Sequence, residues 1–218
     1  MAYSLETAKD VYKAVLDGIK KESTAVLLPE QFNRLINVDA MTEWLNEIAP
    51  VNDFDQTIVD ALSNLVKVKS DIVPSVTPEG YYLVNLPNNY YRLQSVSFKL
   101  DVDGKLTDWL PAKRVRADSF SKAVSGVNPY RKPTDKRLYY MQIENAIKSF
   151  PTNDKVRFAK LIYLSRPTPI IFNETGNDSH GNLNKEQKKA IVDIAVRVFL
   201  ERVKEERYQT QLTEKNLK

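Results

Sequence analysis

Residues 128 to 169 read NPYRKPTDKRLYYMQIENAIKSFPTNDKVRFAKLIYLSRPTP. A basic, proline-flanked loop (Asn128 to Lys136) leads into two strand-like runs, Leu138 to Ile143 and Val156 to Leu164, joined by a short connection, and Pro167 and Pro169 close the stretch. In the second run Val156, Phe158, Lys160, Ile162 and Leu164 alternate with Arg157, Ala159, Leu161 and Tyr163. Both sets are largely apolar, which places the strand centrally in a sheet. The stretch carries no chemical motif and reads as a structural cassette.

Upstream of it lies more strand. Tyr81 to Leu86 and Tyr90 to Leu100 are rich in aromatic and β-branched residues and are separated by Pro87, Asn88 and Asn89; such runs fit a pleated, half-buried surface. Asp103-Gly104 predicts a tight turn, because glycine supplies the positive φ a hairpin needs, with Leu106 to Leu110 as the returning strand. Residues 66–80, with two prolines and a glycine, read as a linker or extended crossover. Residues 117–125 read as a short helix ended by Gly126.

The two ends are helical. Leu5, Ala8, Val11, Tyr12, Val15 and Ile19 share one face of a helix over 5–22, with Ser4 as its N-cap. A second helix begins at Pro29, a favoured first-turn residue, and ends at Pro50, with Asn37, Val38 and Asp39 marking a break. Asp53 and Gln56 have capping-box spacing and open a third. A loop over 173–183 precedes Asn184 and Gln187, a second capping-box pair. The helix they open runs to about Tyr208, and its middle, AIVDIAVRVFL (190–200), is interrupted only by Asp193 and Arg197, spaced to pair at i, i+4. The expected fold class is α+β. An N-terminal helical bundle (1–67) has the long C-terminal helix (184–208) packed on it. A linker (68–80), an antiparallel β-rich middle domain (81–172), a polar loop (173–183) and a polar tail (209–218) complete the chain.

Composition narrows the function. The 218 residues hold 32 basic and 28 acidic side chains, a net charge of +4, with the signs interspersed over most of the chain; a dedicated DNA-binding domain concentrates its basic charge. No cysteine is present, which excludes disulfides, thiolate metal sites and a cysteine nucleophile. The first ten residues have no apolar run after a basic start, so no signal peptide is expected. No apolar run approaches about 18 residues, so no membrane partner is expected. The single histidine, His180, falls in the polar loop and is expected to be solvated. Nucleophile-elbow and phosphate-loop patterns are missing. Asp101, Asp103 and Gly104 resemble the start of a calcium loop, but Lys105 takes a position that needs an oxygen ligand. No enzyme, cofactor or metal is expected.

Basic and aromatic residues interleave over 113–140. Arg114, Arg116, Tyr130, Arg131, Lys132, Lys136 and Arg137 are the candidate contacts with another subunit, a partner protein or DNA, and Tyr208 and Leu212 extend the set into the C-terminal segment. The mix resembles that of single-strand binders; the favoured reading is a solvated face with core tyrosines, and between the two stands a face that meets an acidic protein partner or passing DNA, since arginine and tyrosine are also enriched at protein interfaces. A nucleic-acid-binding module is therefore the alternative function.

Three segments carry a resemblance: LPNNYYRLQSV (86–96), NPYRKPTDKRLYY (128–140) and LIYLSRPTPI (161–170). With the order of parts and the IVDIAV helix (191–196), they resemble the ring or head–tail connector (adaptor) proteins of tailed bacteriophages, closest to those of crAss-like phages. The resemblance spans most of residues 80–205. It implies a non-enzymatic virion protein at the head–tail junction, made in the host cytoplasm. Such a protein forms a ring, commonly of twelve copies, sealing and extending the DNA channel and docking the tail. The implied partners are further copies of itself, the portal protein, other neck and tail proteins, and genomic DNA passing non-specifically through the channel.

Overall fold

The computed structural model describes residues 4–24, 26–48, 62–116, 137–149 and 155–216, with side chains as far as Glu206. The expected third helix from Asp53, the helix over 117–125 and the loop 128–136 lie outside the described residues, as does Pro50. The fold is mixed α/β: helices at both ends and a curled, mainly antiparallel sheet between them. The chain divides into two compact units, Met1–Asn64 with Pro167–Lys218, and Leu65–Arg166.

The helical unit begins with α1 (Ala8–Glu22). Its N-cap is Thr7, not Ser4: Thr7 Oγ1 accepts from the Asp10 amide at 3.1 Å, and Asp10 returns the bond to the Thr7 amide. Ser4 donates instead to the Asp10 carboxylate at 2.7 Å. These two contacts, led by Ser4, hold the Asp10 carboxyl below its ordinary value. Val11, Val15 and Ile19 are fully buried, as the period-3.6 pattern requires. Next come α2 (Pro29–Arg34), a π-helical segment (Leu35–Ala40) and α3 (Met41–Ile48). The break anticipated at Asn37 to Asp39 is this change of helical pitch, not an interruption of the chain's course.

The C-terminal helix α4 (Lys185–Asn216) opens on the predicted box: Asn184 Oδ1 accepts from the Gln187 amide and Gln187 Oε1 from the Asn184 amide, both at 2.9 Å. It continues to Asn216, through the stretch expected as a tail. Ile191, Val192, Ile194, Ala195 and Leu200 are buried. α1 and α4 cross closely at Gly18, where an added Cβ would stand 2.6 Å from a Val196 methyl. Arg197 does not pair with Asp193; its guanidinium reaches Glu43 at 2.7 Å and Glu47 at 3.1 Å on α3, and Arg202 reaches Asp39 at 2.8 Å. Partners on a packed neighbouring helix sit nearer the guanidinium than the sequence neighbour does. The Arg197 pairs are open to solvent, which screens them, and they add little to stability. Among the described residues no helix is long and apolar enough to cross a membrane.

The sheet unit has strands β1 (Val66–Ile72), β2 (Ser75–Val76), β3 (Tyr82–Asn85), β4 (Tyr90–Val102), β5 (Lys105–Leu106), β6 (Leu110–Arg114), β7 (Leu138–Ile143), β8 (Ala146–Ser149) and β9 (Lys155–Ser165). Their order is β1-β9-β4-β6-β7-β8-β3-β2, with β5 beside β4. All neighbours are antiparallel except β6 and β7. The segment expected as a linker is thus largely strand: Pro74, Pro78 and Gly80 punctuate the chain only after β1 has ended. β1 pairs with β9 through Val66↔Leu164 to Ile72↔Ala159. Its lysines and its bulge near Asp71 (φ 55°) suit an edge strand, where charge and twist discourage further pairing.

Asp103 and Gly104 form the predicted turn, with φ of 50° and 81° as a type I′ hairpin needs. The chain then returns in two pieces, β5 and β6, rather than one strand over 106–110. β9 lies between β1 and β4, one strand in from the edge. Its alternation is broken once: Lys99 pairs with Phe158 and Leu100 with Val156, leaving Arg157 as an extra residue. This bulge moves Val156 onto the face of Ala159, Leu161 and Tyr163, away from Phe158. That inner face, with Val84, Val96, Phe98, Leu100, Leu138, Tyr140 and Ile147, is one core cluster. Each large side chain fully buried there contributes roughly 1.5–3 kcal/mol.

Candidate interaction surface

Core membership fixes the other face. Val96, Phe98 and Leu100 point inward on β4, so Ser95, Ser97 and Lys99 point outward. Ser97 pairs with Lys160 and Pro111, and Lys99 with Phe158, so these share the outer face. The ring of Trp109 confirms it: the Lys99 ammonium lies 4.8 Å and the Lys160 ammonium 5.9 Å from its centroid. Cation–π contacts of this kind contribute about 0.5–1 kcal/mol where solvent reaches them. On β6 Ala112 packs against the core, which turns Lys113 outward; β7 pairs in parallel, with Leu138 and Tyr140 inward and Arg137 and Tyr139 outward.

The sheet therefore sorts the residues singled out in the sequence. Arg137 joins Lys113, Lys99 and Lys160 on the outer face. Arg114 stands at the end of β6 in register with Tyr140, on the inward side. Its charge offsets part of the rise that burial gives the Tyr140 phenol. Arg116 is exposed just beyond β6. Tyr130, Arg131, Lys132 and Lys136 lie outside the described residues. Tyr208 and Leu212 are helical positions of α4 whose side chains are not described. Lys99, Trp109, Phe158 and Lys160 were missed as a group, because strand pairing brings together residues about 60 positions apart. The one local signal was the alternation in SVSFKL (95–100), which already separates Lys99 from the core residues.

Acidic charge on this face is confined. Asp101 accepts from Arg157 Nε at 2.8 Å and from the Gly104 amide at 3.0 Å. The Arg157 contact leads in holding its carboxyl below the usual range. The extra residue at the bulge is the one that makes this pair. Among the described residues no carboxylate stands within ion-pairing distance of Lys99, Lys113 or Lys160.

In the helical unit, the expected polar loop holds a two-residue ladder, β10 (Ile170–Ile171) with β11 (Ser179–His180). Asn37 donates to the Ile170 carbonyl at 2.7 Å and accepts from its amide at 2.8 Å. One helical turn earlier, Asn33 makes the same pair of bonds with Phe172, at 3.0 and 2.9 Å. The two carboxamides act as a neighbouring strand would. His180 is exposed, as expected, and also serves as a cap: its Nδ1 accepts from the Ala8 amide at 3.1 Å, satisfying a free donor of the first turn of α1. Lys188, at 5% exposure, donates to the Glu6 carbonyl at 3.1 Å.

No family model and no curated protein matches the sequence.

Proposed function

We propose that the chain is a structural virion protein that forms a ring at the portal–tail junction of a tailed phage, sealing the DNA channel and docking the tail without a catalytic step. The sequence resemblance suggests the class. The observation that supports an assembly role is the far end of α4. Among the residues whose side chains are described, which end at Glu206, the last buried one is Leu200 and Lys204 to Glu206 are exposed; the helical backbone continues to Asn216, roughly 24 Å beyond Leu200 at 1.5 Å per residue. A polar helical extension gains little from its own propensity in water and is stabilised by a partner surface. In this reading the N-terminal helices and α4 form a bundle that carries the extension toward the next ring or the portal. Copies meet by head-to-tail contacts that close.

Native mass spectrometry of the full chain, alone and with portal protein, tests the proposal. Closed rings, free or portal-bound, are expected. Removing residues 204–218 is expected to abolish portal association while leaving the circular dichroism of the remaining fold unchanged. A chain that stays monomeric in both settings, or a truncated chain that associates as well as the full one, overturns it.

A further inference from the structure

We propose that the outer face of the sheet, across β4, β6 and β9, is a binding site for single-stranded nucleic acid. The site is complete in one copy of the chain and does not depend on ring formation. Lys99, Lys113, Arg137 and Lys160 stand on this face, and the Asp101 carboxylate at its margin is already neutralised by Arg157. Same-face neighbours along a strand are roughly 7 Å apart, so the cations form a lattice that a flexible phosphate backbone can follow. Trp109 and Phe158 lie among them, both part-exposed, and Phe158 is the direct cross-strand partner of Lys99.

The chemistry selects the occupant. Aromatic side chains within a field of cations suit a strand whose bases are unpaired and can stack, with the lysines meeting the phosphates as point charges. A duplex hides its base faces, and reading its grooves takes a projecting helix or two-stranded ribbon; a broad sheet face offers neither. An acidic protein partner favours the arginine fork over lysine, whereas three of the four cations here are lysines. The lysines over Trp109 also hold the ring and the positive charge in one place before any ligand arrives.

The test is fluorescence anisotropy of the full chain with a labelled oligo-dT of about 20 nucleotides, between about 50 and 200 mM salt. The double charge reversal Lys99→Glu/Lys160→Glu is expected to weaken binding at least about tenfold at low salt. It should also reduce the slope of log K against log salt by about 1.4, at 0.7 per lost phosphate contact. Lys99→Gln/Lys160→Gln keeps the side-chain stems and gives the same direction if the reversal disturbs folding. Trp109→Leu is expected to weaken binding several-fold with the slope unchanged, since stacking does not release counterions. Lys20→Glu/Lys21→Glu, at the end of α1, is expected to leave binding as it was. Unchanged affinity in both lysine doubles overturns the proposal. So does displacement of the oligonucleotide by an equal charge of duplex or polyglutamate, which would assign the face to double-stranded DNA or to an acidic protein.

Discussion

Lys188 enters the core side of α4 within its first turn, and its ammonium is buried against the Glu6 carbonyl. Burial pulls its pKa below the ordinary 10.5, with the charges of Asp10 and Glu6 pulling the other way. In the window just below 10.5 the unfolded chain therefore binds more protons than the folded one, and this group's contribution to stability rises with pH. Tyr12, Tyr91 and Tyr140 act oppositely: burial raises their phenols, so the folded chain keeps protons that the unfolded chain loses above 10.0. Lys188→Met removes only the rising component. At pH 7 the substitution is expected to change stability by less than about 1 kcal/mol, one lost hydrogen bond against a relieved burial cost. As the pH rises toward 10.5 the difference in urea midpoint should move in favour of the wild type. A difference that stays constant over that range would mean the folded and unfolded chains hold this proton equally.

At the scale of elements, the Asn33–Asn37 clamp shows what local pattern reading reaches and what it does not. Pro29 as a helix start, the Asn184–Gln187 box, the Asp103-Gly104 turn and the strand Leu138 to Ile143 were all legible, because each is set by residues within a few positions of one another. The clamp joins α2 and the π segment to a strand more than 130 residues later, and no local rule reports that. The same limit hid the partners of Arg197, the parallel pairing of β6 with β7 and the outer-face cluster. β1 was hidden differently: its alternating valines and lysines were outweighed by the prolines that follow. The clamp is also testable. Asn37→Ala loses two bonds to Ile170 and one to the Asn33 carbonyl, and is expected to cost about 2–3 kcal/mol. Asn33→Ala should cost about 1–2 kcal/mol, and the double variant less than the sum, because once one asparagine has released the strand the other has less to hold. Urea unfolding of the three variants measures this; strict additivity would mean that the two amides hold independent pieces of backbone.

For the whole molecule, the two units have different relations to the sequence. The helical unit is assembled from both ends of the chain, whereas the sheet unit, Leu65–Arg166, is continuous. Its two ends are also tied to each other: the Leu65 carbonyl accepts from both the amide and the hydroxyl of Ser165, each at 2.9 Å, and Val66 pairs with Leu164 immediately beyond. A segment whose ends meet and whose core cluster lies wholly within it has the anatomy of an inserted domain. Residues 65–166 expressed alone are therefore expected to fold, with a single cooperative urea transition and a slope of about 1–3 kcal/mol per molar, as for other small domains. The β1–β9 pairing should survive, since it closes the unit at the point where the chain enters and leaves. Slowly exchanging amides on β4 and β9, measured by hydrogen exchange, would locate the core in the excised unit. A broad, non-cooperative transition with exposed apolar surface would instead mean that the sheet requires the helical unit to hold its curvature, and that the division into two units describes geometry but not folding.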